Sequence, residues 1–316
     1  MNRTIDVSVI IPTYNRISML EEAIQSALAQ DFDGAVEIIV VDDNSSDGTS
    51  EIISRKYSEV CLIRLKQNVG CAAARNQGLS LAQGKYIAFL DSDDLWEKNY
   101  LKIQISTLEG REKCFSVTNI WVWNTIENKK WIFILKPDLE KYTSPLHHMM
   151  VGSFIHIPAS VVFPRQVIQD VGLFDDKIKM GNDMDFYARC LISGYTPVYN
   201  NQALAIQRKH NKSQLTDLKN QEERLKFQLY MIEKNYPIAH QKGGLNISKK
   251  QLYADIYKKY ARSYFNQKEI GKWLESLKKL ADYTSLDQAL SYTINDIKVR
   301  LKGKLSILKG LLRVIN

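Results

Sequence analysis

Four short apolar runs most constrain what this chain can fold into: VSVIIP (residues 7–12), VEIIVVDD (36–43), VCLIRL (60–65) and YIAFL (86–90). The first is continuous and β-branched, as in a strand covered on both faces. Between the runs the pattern turns helical. Leu20, Ile24 and Leu28 share helical spacing, and residues 49–57 and 72–82 each read as a helix. Strands alternating with helices imply βαβ units, and right-handed crossovers set the helices on the sheet faces. The predicted fold class is α/β, a Rossmann-like, mainly parallel sheet flanked by helices.

In such sheets ligands bind beyond the carboxyl ends of the strands. Three of these ends are polar: Pro12, Thr13, Tyr14 and Asn15; Asp42, Asp43 and Asn44; and Asp91, Ser92 and Asp93. The third strand leads into NVGCAAARNQG, from Asn68 to Gly78. All four segments are expected on one rim, where a nucleotide is a natural ligand. No GxGxxG or GxxxxGK[ST] follows the first strand, which disfavours a dinucleotide site and a P-loop.

Asp91 and Asp93 are two apart on extended backbone, so their side chains point the same way. Paired carboxylates can grip a hard divalent cation that also holds a diphosphate. The competing account is a solvated turn, with Asp94 capping a following helix. Asp42 and Asp43 could accept from a base N–H or a ribose hydroxyl, or could simply belong to the turn that Asp47–Gly48 signals. Arg75 sits among small residues and suits a diphosphate, although a lone arginine is more often a surface residue. Asp183 and Asp185 open a helical pattern; one would cap the helix while the other serves as general base, and spacing alone does not separate them. His210 follows a strand at residues 203–208 and is either structural or a metal or phosphate ligand.

These pieces together resemble the family 2 glycosyltransferases, inverting enzymes of GT-A fold that use nucleotide sugars. VSVIIPTYNR, VDDNSSDGT, NVGCAAARNQG, FLDSDD and GNDMDFYARCLISGY occur in family order over roughly residues 5–215. The resemblance implies that Pro12, Thr13, Tyr14, Asp42 or Asp43, Asn68 and Arg75 serve the nucleoside side. It implies that Asp91, Ser92 and Asp93 form the DxD motif. Asp91, Asp93 and His210 would then attend Mn²⁺ or Mg²⁺, and Asp183 would be the catalytic base. One departure is visible: the family's Glu-Asp pair reads Asn182–Asp183. The acceptor implied is a glycan, polyprenyl-diphosphate-linked in the surface-polysaccharide members. The alternatives are a sugar-nucleotide nucleotidyltransferase, which would want a basic glycine-rich loop where PTYNR stands, and a nucleic-acid-binding protein, whose phosphates the rim acids would repel.

The 316 residues carry a formal net charge of +8, unevenly spread. Residues 1–215 hold 23 basic and 25 acidic residues, against 20 and 10 in residues 216–316. The resemblance implies a GT-A domain over 1–215, and the change of charge marks a basic, mostly helical region over 216–316. Within the latter, Leu225, Leu229 and Ile232 are spaced for packing. The segment at 297–316 reads as a basic amphipathic helix suited to an anionic membrane surface or to packing on the catalytic domain. There is no secretory pattern and no apolar run long enough to span a bilayer. Cys61, Cys71, Cys114 and Cys190 form no CxxC pair and suggest a reducing compartment. The expected location is cytoplasmic, at most peripheral on the inner membrane face, with no nucleic-acid partner.

Overall fold

The computed structural model describes residues 4–210, 220–285, 288–289 and 291. Its centre is a sheet whose first half is parallel throughout. Strand β1 (Val7–Thr13) lies between β2 (Val36–Asp42) and β4 (Tyr86–Phe89), and β3 (Val60–Arg64) flanks β2. Every residue of β1 is buried, as a run without alternation requires. Each Val or Ile so enclosed contributes about 1.5–3 kcal/mol relative to an exposed one.

Helices α1 (Ile17–Leu28), α2 (Thr49–Lys56) and α3 (Cys71–Leu81) make the crossovers. Helix α1 buries Leu20, Ala23, Ile24 and Ala27, one stripe at spacings of three and four. The small residues of α3 bring it close to the sheet. A Cβ on Gly78 would lie 2.5 Å from Ile10 Cγ2, so this helix could not seat with a larger residue there.

Beyond β4 the sheet continues in mixed direction. After the short β5 (Leu95–Trp96) and α4 (Tyr100–Leu108) come the hairpin β6 (Cys114–Asn124) and β7 (Lys129–Phe133). Helix α5 (Pro145–Val151), β8 (Val161–Pro164), α6 (Gln166–Val171), α7 (Asn182–Ile192) and β9 (Thr196–Lys209) follow. The order across the sheet is β3-β2-β1-β4-β8-β6-β9-β5, with β7 hung on β6. Pairing of β4 with β8 and of β6 with β8 is antiparallel, whereas the long β6–β9 ladder is parallel.

Helices α8 (Gln221–Gln241), α9 (Lys249–Asn266) and α10 (Ile270–Tyr283) complete the described chain. They do not stand apart from the sheet. Phe227, Met231, Ile232, Leu252, Ile256 and Tyr260 belong to the same apolar core as β1, with Leu225 and Leu229 packed against it. Among the described residues no helix is long and apolar enough to cross a membrane. The amphipathic segment at 297–316 lies outside the described residues.

Candidate active site

The ends of β1, β2 and β4, the start of α3 and the start of α7 open on one cleft of about 860 Å³. Pro12, Thr13, Tyr14, Asp43, Arg75, Asp91, Ser92, Asp93 and Asp183 all line it, so the rim expected from strand order exists. Tyr14 is exposed, and the Thr13 hydroxyl is buried without a partner among the described residues.

The two aspartates ending β2 have different surroundings. Asp42 is wholly buried; it accepts from Ser45 N at 2.9 Å and from the Ser50 hydroxyl, and so ties its own turn. Asp43 reaches across to the next loop, accepting from Val69 N at 2.7 Å and Gly70 N at 2.8 Å. Asn68 lends its amide to the Asp43 carbonyl at 3.3 Å. Asp43 lines the cleft, whereas Asp42 and Asn68 do not.

Arg75 is not a surface arginine. It is 4% exposed, projects from α3 and donates to Asp91 Oδ1 at 2.6 Å and to Asn182 Oδ1 at 2.8 Å. Its guanidinium lies 5.5 Å from the centre of the Phe174 ring. Where the family pair would present a glutamate, Asn182 therefore gives Arg75 a neutral acceptor. Asp91 is its only carboxylate ion-pair partner among the described residues, which leaves more of the arginine's charge for an anionic ligand.

Asp93 accepts from Arg16 and from His210 Nε2 at 3.1 Å. Burial pushes its carboxyl up, but the His210 hydrogen bond and the Arg16 charge outweigh that and hold it below the ordinary value. His210 stands behind Asp93 rather than on the cleft wall. Its Nδ1 is buried and has no partner among the described residues. Asp94 caps no helix: α4 begins only at Tyr100, and the buried Asp94 carboxylate accepts from Arg208 N at 3.2 Å. Burial, reinforced by the Asp93 and Asp91 charges, raises its pKa well above the usual range.

The turn that carries these acids is held by a residue that sequence reasoning missed. Arg208 on β9 donates to Asp93 O at 2.5 Å, Glu22 Oε2 at 2.6 Å and Met19 O at 3.1 Å. It is 3% exposed and pins the Asp91–Asp94 turn to α1. Its flanking residues, Gln207 and Lys209, are polar, so nothing in the local sequence marked it as buried.

Asp183 and Asp185 now separate. Asp183 faces the cleft on the first turn of α7. Burial raises its pKa above the ordinary carboxylate value, Arg75 opposes that, and Asp91 adds to it. Asp185 is fully buried on the other side, bound to Arg189, Lys234 and Asn235. Ahead of both, Gly181 has φ +74°, and a Cβ there would fall 2.3 Å from the Phe227 ring. Both facts call for glycine.

A divalent cation is compatible with this donor set. Asp93 is held ionised, Asp91 and Asp93 line the cleft, and both already attract cationic side chains. Among the described residues no three His, Cys, Asp or Glu side chains converge as a ready-made metal site.

The family model described as glycosyl transferase family 2 matches residues 8–172. The chain belongs to that family. It is 33% identical to TuaG of Bacillus subtilis, named for teichuronic acid biosynthesis, over 66% of this chain and 80% of TuaG. It is 40% identical to WfaP of Escherichia coli, a UDP-Glc:α-D-GlcNAc-diphosphoundecaprenol β-1,3-glucosyltransferase, over 37% of this chain and 46% of WfaP. The fold matches S. aureus TarS residues 1–349 solved with UDP-GlcNAc. The TM-score is 0.61 at 17% identity, covering 92% of this chain and 89% of that one. The GT-A expectation is met, helical C-terminal region included.

Proposed function

We propose that this family 2 glycosyltransferase moves a sugar from a UDP-sugar to a hydroxyl of a polyprenyl-diphosphate-linked glycan, with inversion, in polysaccharide biosynthesis. The observation that carries the proposal is the convergence of Asp183, Asp91 and Asp93 on one cleft around buried Arg75. The UDP-GlcNAc in the TarS complex and the donor and lipid-linked acceptor in WfaP's name support the choice of substrates.

Asp183 is the base. Its raised pKa makes it a better proton acceptor than an ordinary aspartate. It takes the proton of the acceptor hydroxyl as that oxygen bonds to the anomeric carbon. The bond from that carbon to the diphosphate breaks on the opposite face, and the electron pair leaves with UDP. Arg75, held in place by Asp91 and Asn182, lies ready to offset charge on the leaving group. Asp91 and Asp93 would hold a divalent cation, with His210 steadying Asp93. That cation supplies further positive charge for the diphosphate. Tyr14, Thr13 and Asp43 form the nucleoside side. A lipid-linked acceptor would bring the protein to the cytoplasmic membrane face.

Calorimetric titration of UDP with Mn²⁺ and with EDTA, on the wild type and on Asp93→Ala, tests the donor half. Metal-dependent binding that Asp93→Ala abolishes is expected. Equal binding in EDTA would remove the cation from the proposal, and no binding of UDP under either condition would overturn the donor.

A further inference from the structure

The cleft has a lining of two chemically distinct parts. Its acidic lining residues, Asp43, Asp91, Asp93, Asp94 and Asp183, come from the strand ends and the start of α7. The part of the lining from the loop before α5 and from α8 and α9 contributes Lys141, Arg224 and Lys259 and, among the described residues, no acid. Lys259 lies among these cations. Its side chain is open to the cleft, and its ammonium donates to two neutral oxygens, Val151 O at 3.0 Å and Gln228 Oε1 at 3.3 Å. The ionised groups acting on it, Arg224 and Lys141, are both cationic. The protein around it and these two charges lower its pKa to about 8.

A Cβ on Gly152 would come within 2.9 Å of Lys259 Nζ, and Gly152 has an extended backbone that any residue could adopt. A side chain there would therefore push the flexible end of Lys259 aside without straining the backbone. Beside it, Tyr142 stacks on His148 with ring centres 4.3 Å apart. His148 Nδ1 accepts from Asp138 N at 3.0 Å, and burial lowers its pKa to about 4, so this ring stays neutral. Both rings line the cleft beside the cations, and the Lys141 ammonium lies over the Tyr142 ring, 4.8 Å from its centre, so the stacked pair holds this part of the cationic cluster in place.

We propose that Lys259, with Lys141 and Arg224, forms an acceptor subsite that binds a phosphate group next to the sugar receiving transfer. This rests on the function proposed above and specifies its acceptor as phosphate-bearing. All the contacts of Lys259 given above come from α5, α8 and their margins and none from the nucleoside side, so the phosphate concerned is distinct from the donor's. It would be supplied either by a prenyl diphosphate or by a sugar phosphate.

The test is calorimetric, on the full chain saturated with UDP and Mg²⁺ so that the donor position is filled. The probes are geranyl diphosphate and glucose 1-phosphate, titrated into wild type, Lys259→Met and Gly152→Ala. At least one probe should bind the wild type, weaken tenfold or more in Lys259→Met and weaken measurably in Gly152→Ala, which keeps the charge but displaces it. UDP affinity should stay within twofold in both variants. Preference for geranyl diphosphate identifies the lipid diphosphate as the source, and preference for glucose 1-phosphate identifies the glycan. Equal probe binding in wild type and Lys259→Met overturns the subsite, as does a loss of UDP affinity matching the loss of probe. Failure of UDP itself to bind wild type would instead strike the proposed donor, and the probe titrations without UDP would still judge the subsite.

Discussion

Asp183 and Asp185, two residues apart at the start of α7, face opposite ways: the first lines the cleft, and the second is locked between α7 and α8. Their substitutions should therefore fail differently. Asp183→Asn should fold with unchanged thermal stability, retain UDP affinity within about threefold, and lose transfer by at least ~10³-fold, in keeping with removal of a general base. Asp185→Ala should unfold about 3–5 kcal/mol more easily, because it removes the buried carboxylate that Arg189, Lys234 and Asn235 share. Denaturant titrations alongside product assays separate the two outcomes.

The acid limb of the rate profile should lie above the ordinary aspartate range. Burial raises the pKa of Asp183, and the base must be ionised to act. Arg75 is the charge opposing that rise, so Arg75→Met should move the limb to still higher pH. Transfer measured against pH at saturating donor checks this; an unmoved limb in Arg75→Met would mean that another group titrates.

Asp93 predicts the reverse sign for stability. Its folded pKa lies below the unfolded value, so its contribution is complete above the unfolded carboxylate pKa and is lost as pH falls through the folded one. Asp93→Asn should remove that part of the pH dependence and make the acid side of the stability curve shallower. Urea midpoints at a series of pH values below 5 would reveal it.

Arg208→Met should cost about 2 kcal/mol, the worth of a charge-assisted hydrogen bond to backbone carbonyls left behind. It should also weaken UDP binding, since Arg208 holds the Asp91–Asp94 turn in place. Unchanged UDP affinity would show that the turn is held without it.

What was legible in the sequence follows from how the chain buries its surface. Strands β1, β2 and β4 announce themselves because runs enclosed on both faces need no alternation, and their polar ends fall on one rim because they run parallel; β3, at the sheet edge, is only partly covered. Arg75 and Asp183 were legible as candidates, but Arg75's burial against Phe174 and Asn182 was not, because those partners lie about a hundred positions away in sequence. Arg16 and Arg208 escaped notice because a single arginine carries no periodicity. The basic lining was invisible in the net charge of the last third: most of the described lysines there are exposed, and only the fold brings Lys259 together with Lys141 from the loop before α5.

The contact of Phe227 with Gly181 bears on how this protein could be recombined. The turn that presents Asp183 is moulded on a ring from α8, and Lys234 and Asn235 of the same helix clamp Asp185. An exchange of C-terminal segments between relatives would thus alter the seat of Asp183 even with residues 1–215 left intact. Transplanting a new acceptor preference would require Phe227, Lys234 and Asn235 to remain behind as part of the older enzyme.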